Sequence, residues 1–348
     1  MDIFDMINAK ELATYYTENQ SNKIPFLGAT LFPAKKILGL DLSWIRGSAG
    51  LPVALQPGVF DAKAPVRDRI GVAKIETEMP FFRESMRIGE KDRQQLLTVA
   101  AAANRDMLMP LIAKIYDDQS NLVAGASVQF ERMRMQLLST GKIDVSANRV
   151  PYTYDYKLKT AQKKTLTSTA MWSDTDNSNP VADIKGWQDN REDETGVRPK
   201  RAICTRTTWN YLLENKKIRL DMNPIGGQNI IMTDDMLAAY LQRKLGLTVV
   251  VYNKKFALTV GGAAQQFFPD DVFTLIPDGT LGGSYFGTSP EEADLLSGKS
   301  RAQVQIVDTG VAITTMVEEH PVNNLTIVSF IGLPSFEAID QVFIATVA

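Results

Sequence analysis

The feature that most constrains how this chain folds is a long helical pattern in its second quarter. Between residues 111 and 137, apolar side chains recur at spacings of three and four, and Gly141 follows them as a helix stop. Pro110 precedes this run, where the first turn of a helix tolerates proline. At 1.5 Å of rise per residue the helix would extend roughly 40 Å, which is long for a globular protein. The pattern predicts a spine on which other layers pack, with Glu131 and Arg134 among the charged residues on faces other than the apolar one.

The first ninety residues do not have the pattern of a compact domain. A short helix is predicted over residues 9–17, and prolines and glycines then interrupt short apolar pieces, which is typical of an arm that lies on another surface. Residues 61–93 carry many charges of both signs, residues 72–79 alternate like a strand, and Pro80 ends that strand. This stretch predicts a projecting β-hairpin that needs a partner surface, with an ordinary exposed hairpin as the alternative.

The rest of the chain alternates between helical and strand patterns. A helix is predicted over residues 91–108, ahead of Pro110. Beyond Gly141, helices are predicted over 183–195, 209–218 (capped by Thr207 and Thr208) and 233–245, and strands over 150–164 as a pair, 202–205, 248–252, 267–277, 304–316, 325–332 and 340–346. Strands from both ends of the chain around a few helices predict an α+β fold with interleaved connectivity.

The residue types that most catalytic sites need are nearly absent. Cys204 is the single cysteine and His320 the single histidine, so a zinc site, which draws three or four ligands mainly from these types, cannot be built. His320 lies between two predicted strands and is interpreted as a solvated turn residue, and Cys204 as a buried structural thiol. The acidic pairs at 117–118, 234–235 and 270–271 are interpreted as a helix face, a helix first turn and a loop turn. We predict no catalytic, cofactor-binding or metal-binding residues.

Nucleotide, nucleic-acid and membrane functions are each disfavoured by a separate observation. Residues 293–300 fit a permissive phosphate-loop pattern, but a capping box at 289–292 predicts a helix before it and a strand after it, the reverse of the required order. The net charge of −2 and a pI of about 5.7 are unlike those of a dedicated nucleic-acid binder, and the tyrosines and lysines of residues 154–164 also suit a solvated strand. The apolar runs are too short for a bilayer of about 30 Å, and the acidic N-terminus does not resemble a signal peptide, so a soluble cytoplasmic product is expected.

The order of an arm, a charged hairpin, a long helix and an interleaved α+β region resembles the major capsid proteins of tailed bacteriophages, in particular the lambda major head protein family. The most specific stretch is residues 79–93, MPFFRESMRIGEKDR, which is similar to the family's passage from an extended loop into a spine helix. Residues 311–316 and 325–335 are similar to its closing strands. The resemblance covers the whole chain in layout, and is specific in sequence only around residues 60–140 and 305–348.

This resemblance implies the α+β tailed-phage and herpesvirus capsid-protein fold. Residues 1–57 would be the N-terminal arm, and residues 58–88 the extended β-hairpin loop that lies over a neighbouring subunit. Residues 89–150 and 305–348 would form the peripheral domain with the spine helix. Residues 151–304 would form the axial domain, which clusters around five-fold and six-fold axes.

The function that the resemblance implies is structural. The chain would assemble into pentamers and hexamers of an icosahedral shell around double-stranded DNA in the virion, after assembly in the host cytoplasm, without catalysis or cofactors. Implied partners are a separate scaffolding protein (the arm has no room before it for a scaffolding segment), a portal, a decoration protein as in the lambda family, and packaged DNA in weak, non-specific contact. The alternatives are an encapsulin-like shell around a protein cargo and an enzyme that uses carboxylates alone.

Charged residues of the predicted loop and of the helix after it are the expected contacts between subunits, because mixed-sign charge favours register and partner choice more than affinity. These residues are Lys63, Arg67, Arg69, Arg83, Glu84, Arg87, Glu90 and Arg93. Some relatives cross-link a loop lysine to an asparagine of a neighbour, and Lys63 and Lys74 lie in the predicted loop, but we expect no cross-link in this chain.

Overall fold

The computed structural model describes residues 8–18, 25–46, 73–101, 105–147, 150–226, 231–298, 302–320 and 322–348. Its helices are α1 (Ala9–Glu18), α2 (Leu27–Leu31), α3 (Glu90–Ala101), α4 (Arg105–Thr140), α5 (Pro180–Thr195), α6 (Arg206–Glu214), α7 (Lys216–Met222), α8 (Asp234–Leu245) and α9 (Pro290–Leu296). Its strands are β1 (Ala34–Lys36), β2 (Asp41–Arg46), β3 (Ala73–Glu78), β4 (Phe81–Ile88), β5 (Lys142–Ala147), β6 (Val150–Asp155), β7 (Lys163–Thr165), β8 (Arg201–Cys204), β9 (Thr248–Val251), β10 (Lys255–Phe256), β11 (Gln265–Gln266), β12 (Val272–Ile276), β13 (Ser284–Phe286), β14 (Gln303–Val307), β15 (Val311–Glu319), β16 (Val322–Pro334) and β17 (Phe343–Thr346).

The chain divides into two compact units, and each is assembled from separate stretches of sequence. Unit 1 comprises Met1–Ser43, Glu76–Glu131 and Gly283–Ser335. Unit 2 comprises Trp44–Ile75, Arg132–Gly282 and Phe336–Ala348. The two units are defined by contacts within a single chain. The predicted arm, loop, peripheral domain and axial domain are parts of an assembled shell, so these assignments stay predictions.

Unit 1 is built on a six-stranded sheet with the order β1–β13–β16–β15–β14, in which β4 also pairs with β16. The 13-residue strand β16 is buried along most of its length because it lies inside the sheet. On one face, Phe130 of α4 packs against Phe286 and Phe330, with ring centroids 4.4 and 5.3 Å away. Gly332 in β16 allows this approach, since a Cβ there would lie 2.4 Å from Cζ of Phe130.

Unit 2 is built on a five-stranded sheet with the order β7–β17–β12–β8–β9. All five residues of β12 are buried, as expected for a strand in the centre of the sheet. The core is aromatic: Trp172 lies against Phe273 at 5.1 Å between ring centroids, and Trp187 stacks on Phe343 at 5.3 Å. β17, close to the end of the sequence, pairs with both β12 and β7 and so completes this sheet.

Several predicted elements are confirmed. The α+β fold with interleaved connectivity is present, because β17 and β16 both pair with strands that are distant in sequence. The long helix is α4, of 36 residues, and Gly141 ends it with a φ of +74°, a conformation that glycine adopts without strain. Thr233 caps α8 by accepting a hydrogen bond from the backbone N–H of Met236 at 3.3 Å.

Some element boundaries were predicted wrongly. The long helix begins at Arg105, so Pro110 lies inside it instead of at its start. The helix predicted over residues 209–218 is two helices: α6 has Thr205 as its N-cap residue in place of Thr207 and Thr208, and α7 begins after Asn215, whose side chain accepts from the N–H of Ile218 at 3.1 Å. Thr205, Thr207 and Thr208 lie within one turn of each other and are the same residue type, so local residue preferences do not show which of them caps α6.

Strand pairing also differs from the expectation. Residues 150–164 do not pair with each other: β6 pairs with β5, and β7 runs parallel to β17. In the charged stretch, β3 pairs with β2, and β4 joins the sheet of unit 1 through β16, so the two predicted arms are not each other's partners. The backbone N–H of Met79 bonds to Leu40 C=O at 2.9 Å, which ties the ends of β2 and β3 together. Residues 47–72, which include the first half of the predicted loop, lie outside the described residues.

Candidate functional site

Strand β4 presents the predicted contact residues at the surface of unit 1. Phe81, Arg83, Ser85 and Arg87 are exposed and, by strand alternation, share one face, while Ile88 at the end of the strand is buried. In the described residues β4 pairs along one edge only, with β16. A strand with one exposed face and one unpaired edge can bind a further chain by side-chain contacts or by strand addition.

Arg83 is engaged within its own subunit. Its guanidinium forms an ion pair with Glu291 of α9 and lies over the Phe81 ring at 4.9 Å from the centroid. Glu291 also accepts a hydrogen bond from the Ser329 hydroxyl at 2.9 Å. Burial raises the pKa of the Glu291 carboxyl, but its own backbone N–H, Ser329 and Arg83 outweigh burial and hold that pKa below the ordinary value. Arg83 therefore fastens α9 to the exposed face of the sheet.

Glu84 and Arg87 differ from Arg83 in their contacts within the subunit. Both side chains are exposed on β4, and neither forms a hydrogen bond or ion pair with a residue that the structure describes. Opposite charges three positions apart on a strand point to opposite faces, so they do not neutralise each other. Of the five predicted residues that the structure describes, these two are the most available for contact with a second subunit.

Glu90 and Arg93 contact the strand hairpin β15–β16 of their own unit. The Glu90 carboxylate accepts from the backbone N–H of Val322 at 3.1 Å, and the Arg93 guanidinium donates to the Asn324 side chain at 2.9 Å. These contacts position α3 beside the beginning of β16. The remaining three predicted residues, Lys63, Arg67 and Arg69, lie outside the described residues.

The structure also reveals contacts of the N-terminal region that the sequence reasoning missed. α1 buries Leu12 and Tyr16, and the N–H of Ala9 donates to the Thr315 hydroxyl of β15 at 3.0 Å. Glu131 is fully buried, and its carboxylate accepts from the N–H of Gly28 in α2 at 3.1 Å. Glu131 was predicted on a face other than the apolar one, and that face is buried as well.

Arg134, which was also predicted on a face other than the apolar one, is buried too. Every residue from 130 to 139 of α4 is buried or half-buried, so this part of the helix has no fully exposed face. The only signal was a charged pair within a strongly apolar run, which equally suits an exposed face.

The acids that were considered for catalysis are engaged separately. Asp117 accepts from the Tyr15 hydroxyl at 2.6 Å, Asp234 from the Trp209 indole N–H at 2.9 Å, and Asp270 from the Thr205 hydroxyl at 2.5 Å. Bonds from the Arg206 guanidinium and from Trp209 lower the pKa of Asp234. Within the described residues, no group of three or more His, Cys, Asp or Glu side chains is placed to hold a metal ion.

The structure also shows the surroundings of the cysteine, the histidine and the phosphate-loop-like segment that the sequence analysis considered. Burial raises the pKa of the Cys204 thiol to about 12, which leaves it without thiolate character near neutral pH. His320 is an exposed turn residue between β15 and β16. The Ser289 side chain caps α9 and β14 follows that helix, which confirms that the phosphate-loop order is reversed. None of the helices that the structure describes has the length and hydropathy of a membrane span.

Comparison with known proteins adds a family and a fold. The family model described as phage major capsid protein E matches residues 8–347. No curated protein matches the chain. A protein of Escherichia coli CFT073, assigned as a prophage capsid protein, is similar in structure with a TM-score of 0.60 at 16% identity, over 98% of this chain and 99% of that one. A phage-related protein of Bordetella bronchiseptica RB50 has a TM-score of 0.54 at 13% identity, over 96% and 94% of the two chains.

Proposed function

We propose, from the premise that this chain belongs to the phage major capsid protein E family, that its copies assemble as pentamers and hexamers of an icosahedral shell around double-stranded DNA. The chain is a structural capsid protein with the tailed-phage capsid fold. The observation that carries the proposal is the family match over residues 8–347. The same match favours a phage head over an encapsulin-like compartment.

The finer organisation of the shell follows as part of this proposal. Residues 1–57 act as an arm, residues 58–88 supply a loop that lies over a neighbouring subunit, residues 89–150 and 305–348 form the peripheral domain, and residues 151–304 the axial domain. Partners are a separate scaffolding protein, a portal and a decoration protein, with weak DNA contact on the inside. Each contact can be weak, because closure of a shell multiplies the contacts of every subunit. Assembly takes place in the host cytoplasm, and the subunit performs no catalysis.

Among the predicted contact residues, Glu84 and Arg87 are the ones that we assign to contacts between subunits. They are exposed on an edge strand, and they have no partner among the described residues of their own chain. Arg83, Glu90 and Arg93 support that surface from within the subunit through Glu291, Val322 and Asn324.

Electron microscopy of the purified protein, expressed with and without the genes that neighbour its own, tests the function. Closed shells or rings of five and six subunits are the expected result, and DNA inside particles produced with the neighbouring genes would distinguish a phage head from a cargo compartment. A homogeneous monomer or dimer under every condition would overturn the proposal. Shells that enclose a protein cargo would instead favour the encapsulin-like alternative.

A further inference from the structure

The tip of the β10–β11 hairpin in unit 2 is an exposed loop without charged residues. No Asp, Glu, Lys or Arg occurs between Lys255 and Asp270, although charged residues make up 22% of the chain. We call residues 257–264 the tip loop, and all of them are exposed. Leu258 is 58% exposed and Val260 is fully exposed. The tip loop therefore presents apolar side chains to solvent without a charged residue among them.

The tip loop is held in a defined conformation by its own hairpin. β10 and β11 pair in antiparallel orientation beneath it, and the Phe256 ring packs on Phe267 at 4.8 Å between centroids. At the tip, the backbone N–H of Gly262 donates to the Thr259 carbonyl at 2.9 Å, and Gly261 has a φ of +73°. A Cβ at position 262 would lie 2.6 Å from the Thr259 hydroxyl oxygen, so this turn needs glycine. The hairpin thus carries its apolar tip on a narrow, ordered turn.

The other exposed apolar side chains that the structure describes have charged neighbours in sequence. Val317 precedes Glu318, for example, and Leu295 follows Asp294. Among the large apolar residues exposed in the described part of the chain, Val260 is the one without Asp, Glu, Lys or Arg within four positions. This difference matters at a rotation axis, because each residue there meets its own copies and a charge would meet the same charge. The tip loop is therefore the exposed apolar segment best suited to such an axis.

We propose that the tip loops of neighbouring copies contact one another around the axis of a ring, with Val260 at the centre of the contact. The inference rests on the proposed function, and it names the segment that meets at the ring axis. A second copy is the favoured occupant because contact between identical loops is the arrangement that requires a loop without charge. The residues after Val260 are Gly-Gly-Ala-Ala, whose small side chains allow the loops to approach closely. Each contact is small, but a closed ring repeats it at every subunit.

Opposite charges at position 260 test whether the tip loop meets itself. Val260→Asp and Val260→Lys, each expressed alone, place like charges around the axis and should lower the yield of rings and shells by at least about tenfold. Co-expression of the two variants allows opposite charges to alternate, and should return the yield to within about threefold of the wild type. Recovery should be greater for rings of six than for rings of five, because only an even ring alternates without a like-charge pair.

The control for this exchange is Ile225, which is 90% exposed in the same unit. Co-expression of Ile225→Asp and Ile225→Lys should give the mean of their two separate yields, because these side chains are not expected to meet. Thermal unfolding of each purified variant checks that the subunit is folded. Normal yield from both Val260 variants would overturn the contact. Loss without recovery on co-expression would overturn it as well, since the loop would then meet a different surface.

An engineered cysteine tests the same contact without depending on yield. Val260→Cys, treated with a thiol oxidant after assembly, should give covalent dimers on a non-reducing denaturing gel. No larger product is expected, because one cysteine joins only one neighbour. Isolated rings and complete shells should both give dimers, in a proportion that does not change with protein concentration. Wild-type Cys204 is buried and should not contribute, and Ile225→Cys is the control that should stay monomeric.

The outcomes separate the contact from the function. Dimers from shells but none from isolated rings would place the contact at a two-fold axis between rings and would overturn the ring axis. Val260→Cys chains that stay monomeric in well-formed shells would overturn the inference and leave the capsid function standing. Failure of the wild-type chain to form any ring or shell would instead contradict the proposed function.

Discussion

At the scale of single residues, charged side chains of this protein serve two different purposes. Glu131 is buried and Glu291 is half-buried, and both fasten one element of unit 1 to another. Glu84 and Arg87 are exposed and have no partner among the described residues. Only the first group contributes to the stability of the isolated subunit, because an exposed charge without a partner adds little to folding.

The Glu291 carboxylate should make the stability of unit 1 depend on pH. Its pKa in the folded chain lies below the ordinary value of 4.5, so the unfolded chain binds more protons in the interval between the two values. The stabilisation is therefore fully present above about pH 5 and is lost as pH falls through the folded-state pKa. Urea unfolding of the wild type and of Glu291→Gln should show a difference in free energy that shrinks between pH 7 and pH 3. Glu84→Gln is the control for loss of one exposed charge, and a difference for Glu291→Gln that stays constant with pH would contradict this account.

Arg87 tests the assignment of β4 to contacts between subunits. Arg87→Glu should lower the yield of assembled shells by about five- to tenfold and leave the free energy of unfolding within about 0.5 kcal/mol of the wild type, because the side chain has no described partner. Particle counts by electron microscopy and urea unfolding provide the two measurements. Lys185→Glu, at an exposed position on α5, is the control for a surface charge reversal. Normal yield from both Arg87→Glu and Glu84→Arg would remove β4 from the interface.

The sequence predicts the same role for Arg83 and Arg87, but the ion pair of Arg83 with Glu291 predicts a different result for its charge reversal. A carboxylate at position 83 would stand against Glu291 in place of an ion pair, so Arg83→Glu should destabilise the subunit as well as impair assembly. Stability and assembly are therefore separable at Arg87 and not at Arg83.

At the scale of elements, the packing of α4 on β16 depends on the absence of a side chain at one position. Gly332 lies under the Phe130 ring, and a Cβ would also lie 2.8 Å from the carbonyl oxygen of Tyr285. Phe130 is itself 1% exposed and contacts Phe286 and Phe330, so the ring has little room to withdraw. Helix and strand are consequently matched in shape at this crossing.

Gly332→Ala should cost roughly 1–3 kcal/mol of unfolding free energy, because overpacking forces Phe130 from its position. Gly125→Ala is the matched control: Gly125 lies in the same helix as Phe130 with open space around its Cα, and alanine there should stabilise the helix by about 0.5–1 kcal/mol. Denaturant unfolding of both variants measures the two effects. Equal stability of the two variants would mean that the crossing is looser than the distances indicate.

At the scale of the whole molecule, both units depend on residues from distant parts of the chain. Unit 2 is completed by Phe336–Ala348, which places Phe343, Ala345 and Val347 in its core. Unit 1 likewise needs Gly283–Ser335 to supply β13–β16. Neither unit is a continuous segment, so the full chain must be present before either sheet is complete.

Removal of residues 343–348 should therefore prevent unit 2 from folding, because β12 and β7 lose the strand that lies between them. The expected result is rapid proteolysis within residues 132–282 and solvent-like fluorescence from Trp172 and Trp187, which are buried in the complete chain. Removal of Ala348 alone is the control, since β17 stays intact. A truncated chain with native fluorescence would show that unit 2 closes without this strand.

The sequence predicted those parts of the molecule that depend on neighbouring residues. The period of apolar residues predicted α4, and Gly141 marked its end. Ser289 predicted the start of α9, because a side-chain cap acts within one turn. The scarcity of cysteine and histidine excluded a zinc site by residue type alone. The order of the parts along the chain, together with residues 79–93, suggested the capsid family that the comparisons then showed.

The tertiary structure alone decided which elements meet. Strand alternation shows that β4 has two faces, but not that its partner is β16, some 240 positions along the chain, since the period of two is the same for every partner. Burial of Glu131 and Arg134 could not be inferred, because the period of a helix does not show how many of its faces other elements will cover. A surface groove between α7 and α8 arises from the relative placement of two helices, which no local pattern encodes. Local periodicity determined the elements, and long-range packing determined the surfaces on which assembly depends.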